Sequence, residues 1–293
     1  METASPVRAA LLCNLALLLF ACMDTTTKYL TASFDVPLVV AARYIGNFLL
    51  MLLFVAPTRG REMVGTQRTA LVWIRGGCLV ISSLLIACSL QRMPVAETTA
   101  IMFISPVFVM LAAGRMLREE IGPWGWGAVL LGFGGVLLVV RPGSGLDLAG
   151  VLMALIAATM VAAYQLLSRV LAASERTLAL LFYSAAVGTL LLGVALPWFW
   201  AERAPTLLEA GLLMALGVLG GLGHFLFTAA FRHAPASILA PMTYLQLLWA
   251  ALLGWLIFRH TPDLVSMLGM LIVGVSGIMV ALRSRRTARR RAR

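Results

Sequence analysis

A charge at the centre of a hydrocarbon span costs roughly 2.5–3.5 kcal/mol on insertion scales. The few charged residues inside the apolar stretches of this chain are therefore its first candidates for chemistry. Asp24 and Lys28 stand one helical turn apart and could neutralise each other on one face; a plain ion pair at a helix end accounts for them equally well. Arg43 is followed by Tyr44 and Asn47, which puts a cation, a phenol and an amide on adjoining helix faces. Its guanidinium could grip a carboxylate through two parallel hydrogen bonds, or it could close a structural pair with Asp24 or Glu97. Arg75 lies near the start of its apolar run and is expected to snorkel to the interface. Glu97 opens another run, either as a gate or proton carrier or as a hydrated acid at a helix start.

The second half offers neutral groups instead: Tyr164 and Gln165 together, His224 amid glycines, then Tyr244, Gln246 and Trp249. Rings and amides suit a zwitterionic or heteroaromatic ligand, although Tyr244 and Trp249 serve equally as helix-packing aromatics. Histidine titrates near neutral pH and can carry a proton, while close packing around a hydrogen-bonded imidazole explains His224 as well. His224, His233 and His260 lack metal-ligand spacing. The glycine-rich strings have neither the strand-turn-helix context nor the lysine of a phosphate loop. No cofactor, metal or enzyme chemistry is expected.

These residues need a membrane to position them. The chain is 61% hydrophobic and 12% charged, with a mean hydropathy of +0.96; soluble domains are nearer 45–50% and about 25%. Breaking the apolar runs at Pro, Gly and charge clusters predicts ten spans near 10–30, 36–56, 70–90, 95–114, 123–140, 149–168, 177–197, 207–231, 237–258 and 265–282. The run after Arg8 continues through Asp24 and Lys28 without a small-residue cleavage site, so it reads as the first membrane helix and not as a signal peptide. The four cysteines, Cys13, Cys22, Cys78 and Cys88, all fall inside spans and read as small core residues.

The net charge of +11 is a topology signal. Seven arginines lie in the closing RSRRTARRRAR, and with the N-terminus inside, sixteen basic residues collect on one side against Arg92, Arg141, Arg203 and Arg259 on the other. The positive-inside rule then places both termini in the cytoplasm, with the tail against anionic lipid head groups. No nucleic-acid fold accompanies the charge, so nucleic acid is not an expected partner.

An internal repeat organises the spans. LQRMPVAETTA around Pro94 matches FRHAPASILAP around Pro235, 141 residues on, and Lys28 and Arg169 keep the same interval. Gly127 and Gly269, Gly132 and Gly274, and Gly135 and Gly277 follow at 142. Five spans per copy is an odd number, so the second copy must enter from the opposite side, an inverted topology that secondary transporters use with a site near the midplane. The expected units are residues 1–146, residues 147–282 and the basic cytoplasmic tail 283–293.

Against this background, AARYIGNFLL, the block from RGGCLVISS to GGVLLVVRP, and the stretch AFRHAPASILAPMTYLQLLWAALLGWLIF followed by TPDLVSMLGMLIVGVSGIMV resemble the drug/metabolite transporter superfamily in its branch with two EamA-type repeats. The resemblance covers almost the whole chain. It implies an all-α, ten-helix inner-membrane carrier; relatives export amino acids, their derivatives including metallophores, or drugs, and some take up riboflavin or S-adenosylmethionine. Members often carry an acid after the fourth and ninth helices. Glu119 or Glu120 fits the first place, but the second reads Arg259, His260, Thr261, with no carboxylate before Asp263.

The expected function is export of a small polar, amino-acid-like or amino-acid-derived metabolite by alternating access. The expected cavity lies among the second, third, fourth, sixth, eighth and ninth spans. Uptake of a heteroaromatic metabolite is the alternative, and a non-transporting membrane assembly partner is the reading from another class. Small-residue faces serve internal packing and homodimer formation alike, so a homodimer stays open.

Overall fold

In hydrocarbon every backbone N–H and C=O must find its partner within the chain, which leaves helices as the solution for apolar runs of this length. The computed structural model describes residues 6–116, 123–141, 145–171, 174–200, 204–230 and 242–291. Among them no strand occurs; six helices are long and apolar enough to cross a membrane, and four shorter apolar helical stretches complete ten spans. The second copy of the Pro motif, residues 231–241, lies outside the described residues, as do Glu119 and Glu120.

The first half comprises α1 (Pro6–Leu30), α2 (Val36–Leu50) with its continuation α3 (Ala56–Val64), α4 (Thr69–Arg92), α5 (Val95–Met102) with α6 (Ser105–Met116), and α7 (Pro123–Val140). The second comprises α8 (Leu148–Leu171), α9 (Thr177–Ala195), α10 (Leu207–Ala230), α11 (Leu245–Phe258) and α12 (Leu264–Arg291). The last helix runs on through most of the basic tail.

Several spans differ from the sequence expectation. The second does not stop near residue 56 but continues to Val64 through a π turn at Met51–Val55. Pro57 supplies no N–H, and the ladder widens by one residue before it, the Ala56 N–H reaching back to the Met51 carbonyl. The fourth is two helices: Pro106, in the first turn of α6, has no N–H to carry the ladder back to Met102, and the chain turns at Phe103–Ile104. The ninth has a matching turn at Thr243–Tyr244. The two turns meet, the Phe103 and Tyr244 rings lying 4.8 Å apart.

Helix packing repeats across the halves. Exchanging spans one to five with six to ten turns the α4–α8 contact into α10–α1 and the α2–α10 contact into α9–α4, while α7–α12 and α2–α9 map onto themselves. Every one of these pairs is present, as two inverted repeats require. Close approach depends on glycine. A Cβ on Gly269 would stand 2.7 Å from the Gly135 carbonyl, and one on Gly217 would stand 2.7 Å from the Gly46 backbone. Large apolar side chains such as Phe54, Leu130, Leu248 and Leu271 are exposed on the outer faces, where lipid tails are their solvent.

The end at which α4 begins is held by a carboxylate from the other half. Glu175, in the turn before α9, accepts the backbone N–H groups of Gln67 (3.0 Å) and Arg68 (2.7 Å). The Arg68 N–H, at the N-cap, is among the groups that a helix start leaves without intrahelical partners. Glu175→Ala is expected to lower stability by about 1–2 kcal/mol, the usual worth of a helix-start cap. Thermal unfolding of purified protein followed by tryptophan fluorescence checks this; an unchanged midpoint would show that the cap contributes nothing.

Candidate functional site

The crossing of α2 and α10 at Gly46 and Gly217 brings Arg43 and His224 to one narrow cleft between the halves. Arg43, Tyr44 and Asn47 enter it from α2, Tyr164 from α8, Ser184 from α9 and His224 from α10. Its volume is about 20 Å³, room for little more than a water molecule. A metabolite can occupy it only if the halves move apart. The seventh span, absent from the expected lining, supplies Leu181, Ser184 and Ala185, and no described residue of the fourth or ninth lines this cleft.

The two arginines, one behind the cleft wall and one in it, differ in kind. Arg75 does not snorkel: it is 4% exposed and donates from Nε to Ser168 Oγ (2.7 Å), from Nη1 to the Leu180 carbonyl (2.9 Å) and Ser184 Oγ (2.8 Å), and from Nη2 to Tyr164 Oη (2.8 Å). Its guanidinium also stacks over the Tyr164 ring at 4.3 Å. No local pattern around Arg75 signals this, since all four partners lie 89 or more residues away. Arg75 thus fixes Tyr164 and Ser184, which face the cleft, from behind.

Arg43 is held differently. It lines the cleft, with its guanidinium carbon 5.5 Å from the centre of the Tyr44 ring, and makes no hydrogen bond to any described residue. Asp24 is its electrostatic neighbour but lies beyond ion-pair distance. The Asp24 carboxylate instead accepts a long hydrogen bond from Gln246 Nε2 (3.4 Å), tying α1 to α11. Tyr44 is buried and shares a hydrogen bond with Ser83 (2.9 Å). The ring of His224 packs against Phe20 at 4.9 Å.

The remaining candidates lie elsewhere. Gln165 is exposed on the outer face of α8, because its neighbour Tyr164 takes the inward position and successive helical residues diverge by about 100°. Trp249 donates from Nε1 to Asn14 (3.0 Å) and packs with Leu17 and Ala9. Tyr244 stacks on Phe103 at the paired turns.

Nor do Asp24 and Lys28 neutralise each other. Lys28 Nζ reaches the end of α4 and donates to the Leu90 (2.6 Å) and Met93 (2.7 Å) carbonyls, the groups a helix C-terminus leaves open to a cation. Glu97 is not a hydrated acid. It is 3% exposed and meets His260 Nε2 at 2.9 Å, so the histidine that stands where the family often has an acid is paired with an acid from α5. Asp263 lies beside it in the loop, where the Ser266 backbone N–H and then the Arg141 guanidinium (2.8 Å) hold its carboxyl below the ordinary carboxylate range.

This pattern of two inverted halves enclosing a polar cleft has known counterparts. The family model described as the EamA-like transporter family matches twice, at residues 7–141 and 148–282. The pseudopaline exporter CntI of Pseudomonas aeruginosa (strain UCBPP-PA14) is 30% identical over 278 residues, covering 92% of this chain and 95% of that protein. An S-adenosylmethionine uptake transporter of Rickettsia bellii is 29% identical over 85% of each chain. A riboflavin transporter of Rhizobium johnstonii is 28% identical over 89% of this chain and 86% of its own. A crystal structure at 19% identity superposes with a TM-score of 0.67 over 97% of this chain and 99% of that one, which shows the same fold. With both repeats matched and the relatives aligned nearly end to end, this multi-pass membrane protein belongs to the EamA-like transporter family and is a transporter of small molecules.

Proposed function

We propose that the chain exports a small metabolite bearing a carboxylate, amino-acid-like or amino-acid-derived, across a bacterial inner membrane, by rocking of its two five-span halves about the central cleft. One observation carries the substrate class. Of the three cations embedded in the spans, Lys28 and Arg75 are each satisfied by hydrogen bonds, whereas Arg43 faces the cleft and makes no hydrogen bond to any described residue. A guanidinium in a confined, low-dielectric site has its best partner in a planar acid that takes two parallel hydrogen bonds.

Export is favoured by the relative named as a pseudopaline exporter. The concentration of arginines on the tail side supports cytoplasmic ends, with the extended α12 meeting anionic head groups. Uptake of a heteroaromatic metabolite is the second reading, supported by the Tyr44 and Tyr164 rings in the cleft and by the relatives named for S-adenosylmethionine and riboflavin.

Comparative metabolomics of cells and medium, with the chain expressed or deleted, tests both. An acid retained inside on deletion and released on expression is the expected result. Depletion of an aromatic compound from the medium would replace export with uptake, and no change in either compartment would remove the transport assignment for soluble metabolites.

A further inference from the structure

Four residues along α1 from Asp24, about 6 Å at the helical rise, Lys28 opens onto a second cavity of about 250 Å³. Arg92, from the end of α4, and His260 share its wall, together with the Phe258 ring, over which Lys28 Nζ lies at 5.5 Å. The position of His260 is set by its backbone. Arg259 adopts a left-handed conformation (φ 56°, ψ 24°) that ends α11, and the His260 N–H returns to the Gly254 carbonyl at 3.3 Å. That turn lays the imidazole against Glu97.

Glu97 is the unusual member. One carboxylate oxygen meets His260, while the other, Oε2, is buried without a hydrogen-bond partner among the described residues. Such a group keeps most of its desolvation cost. Arg92 is only loosely engaged, 3.8 Å from Asp147 with both side chains nearly half exposed, and Lys28 has spent two of its three N–H donors on the carbonyls of α4. Glu97 is also the anion that acts on Lys28 electrostatically. The cavity wall thus holds three basic groups, and the anion that meets His260 and acts on Lys28 is the poorly satisfied carboxylate of Glu97.

We infer that this vestibule is a second binding station for a carboxylate group, formed by Lys28, Arg92 and His260, and that Glu97 is the internal anion an incoming acid displaces from His260. The inference rests on the proposed export of an acid: Arg43 holds the acid group at the centre, and Lys28 and His260 receive it on the far side. An incoming carboxylate adds one negative charge to a wall that carries Lys28, Arg92 and His260, and the displaced Glu97 carboxylate keeps Lys28 as its electrostatic partner.

The test uses the full-length protein in nanodiscs of phosphatidylethanolamine and phosphatidylglycerol, with isotopically labelled histidine and the His260 signal assigned by its loss in His260→Gln. Succinate is titrated in, and separately succinamide, its neutral analogue. Succinate is expected to shift the His260 signal saturably and succinamide to leave it in place. In Glu97→Gln the midpoint should fall about tenfold if the internal anion holds the station about nine-tenths of the time. Lys28→Gln should abolish the response and Lys28→Arg, which keeps the charge at the α4 end, should retain it.

A response that never saturates, one that succinamide reproduces, or a Glu97→Gln midpoint equal to or above that of the unaltered chain would overturn the inference. Arg43→Gln should leave the His260 response intact. If that response stands while export is indifferent to Arg43, the central-site reading fails alone; if export needs Arg43 while His260 ignores succinate, the vestibule fails alone.

Discussion

Arg43→Ala is expected to reduce transport of the metabolite found by comparative metabolomics at least about a hundredfold, while the protein still accumulates in the membrane and unfolds near the temperature of the unaltered chain. Two charge-assisted hydrogen bonds to a substrate acid in a confined cleft are worth about 3–5 kcal/mol together, and each 1.36 kcal/mol is tenfold in rate. Stability should change little because no described residue is hydrogen-bonded to the lost guanidinium. Its contact with the Tyr44 ring, at 5.5 Å, is worth about 0.5–1 kcal/mol. Arg43→Lys keeps the charge without the planar fork, and is expected to fall between the two with most of the loss in apparent affinity. Wild-type transport in Arg43→Ala, measured at sub-saturating substrate, would remove the residue from the binding site.

Much of the frame from which Arg43 works is legible in the sequence. Ten apolar runs, Pro94 with Pro235 at an interval of 141 and the glycine pairs at 142 establish the number of spans and the inverted halves, because membrane insertion and close helix crossing each depend on residue type at a fixed spacing. Arg43, Tyr44 and Asn47 could be nominated for the same reason: they stand within one turn of one helix. Pro106, an imino acid in mid-span, was an available sign that the fourth span breaks.

The pairings are another matter. At four residues apart, Asp24 and Lys28 satisfy the local rule for an ion pair, yet Lys28 finds the carbonyls of α4 and Asp24 finds Gln246, 222 residues away. Glu97 and His260 are 163 residues apart. Tyr164 and Gln165 are adjacent and equally polar, and only the rotation of α8 against α4 decides that the phenol faces inward. Periodicity fixes what a helix is; which of its faces is spent on which neighbour depends on tertiary packing, which one sequence does not encode at short range.

Arg75 makes the same point through its expected phenotype, which should be the reverse of that of Arg43. Arg75→Ala removes four hydrogen bonds and a ring contact that join α4 of the first half to α8 and α9 of the second. It also leaves an unfilled volume at a site 4% exposed. Truncating a large buried side chain costs about 2–5 kcal/mol. The serines soften the loss, since Ser168 and Ser184 keep their own hydrogen bonds to the Tyr164 and Leu180 carbonyls. A decrease of about 2–4 kcal/mol, or roughly 4–15 °C in the unfolding midpoint, is therefore expected in detergent-purified protein, with a lower yield in the membrane. Arg75→Met should recover part of the midpoint by refilling the volume, but it should not restore transport, because Tyr164 would lose the donor that fixes its hydroxyl at the cleft wall. Were Arg75→Ala to unfold with the unaltered chain and yet fail to transport, Arg75 would have to bind substrate itself, through a cleft open enough to expose a guanidinium that four protein oxygens now enclose.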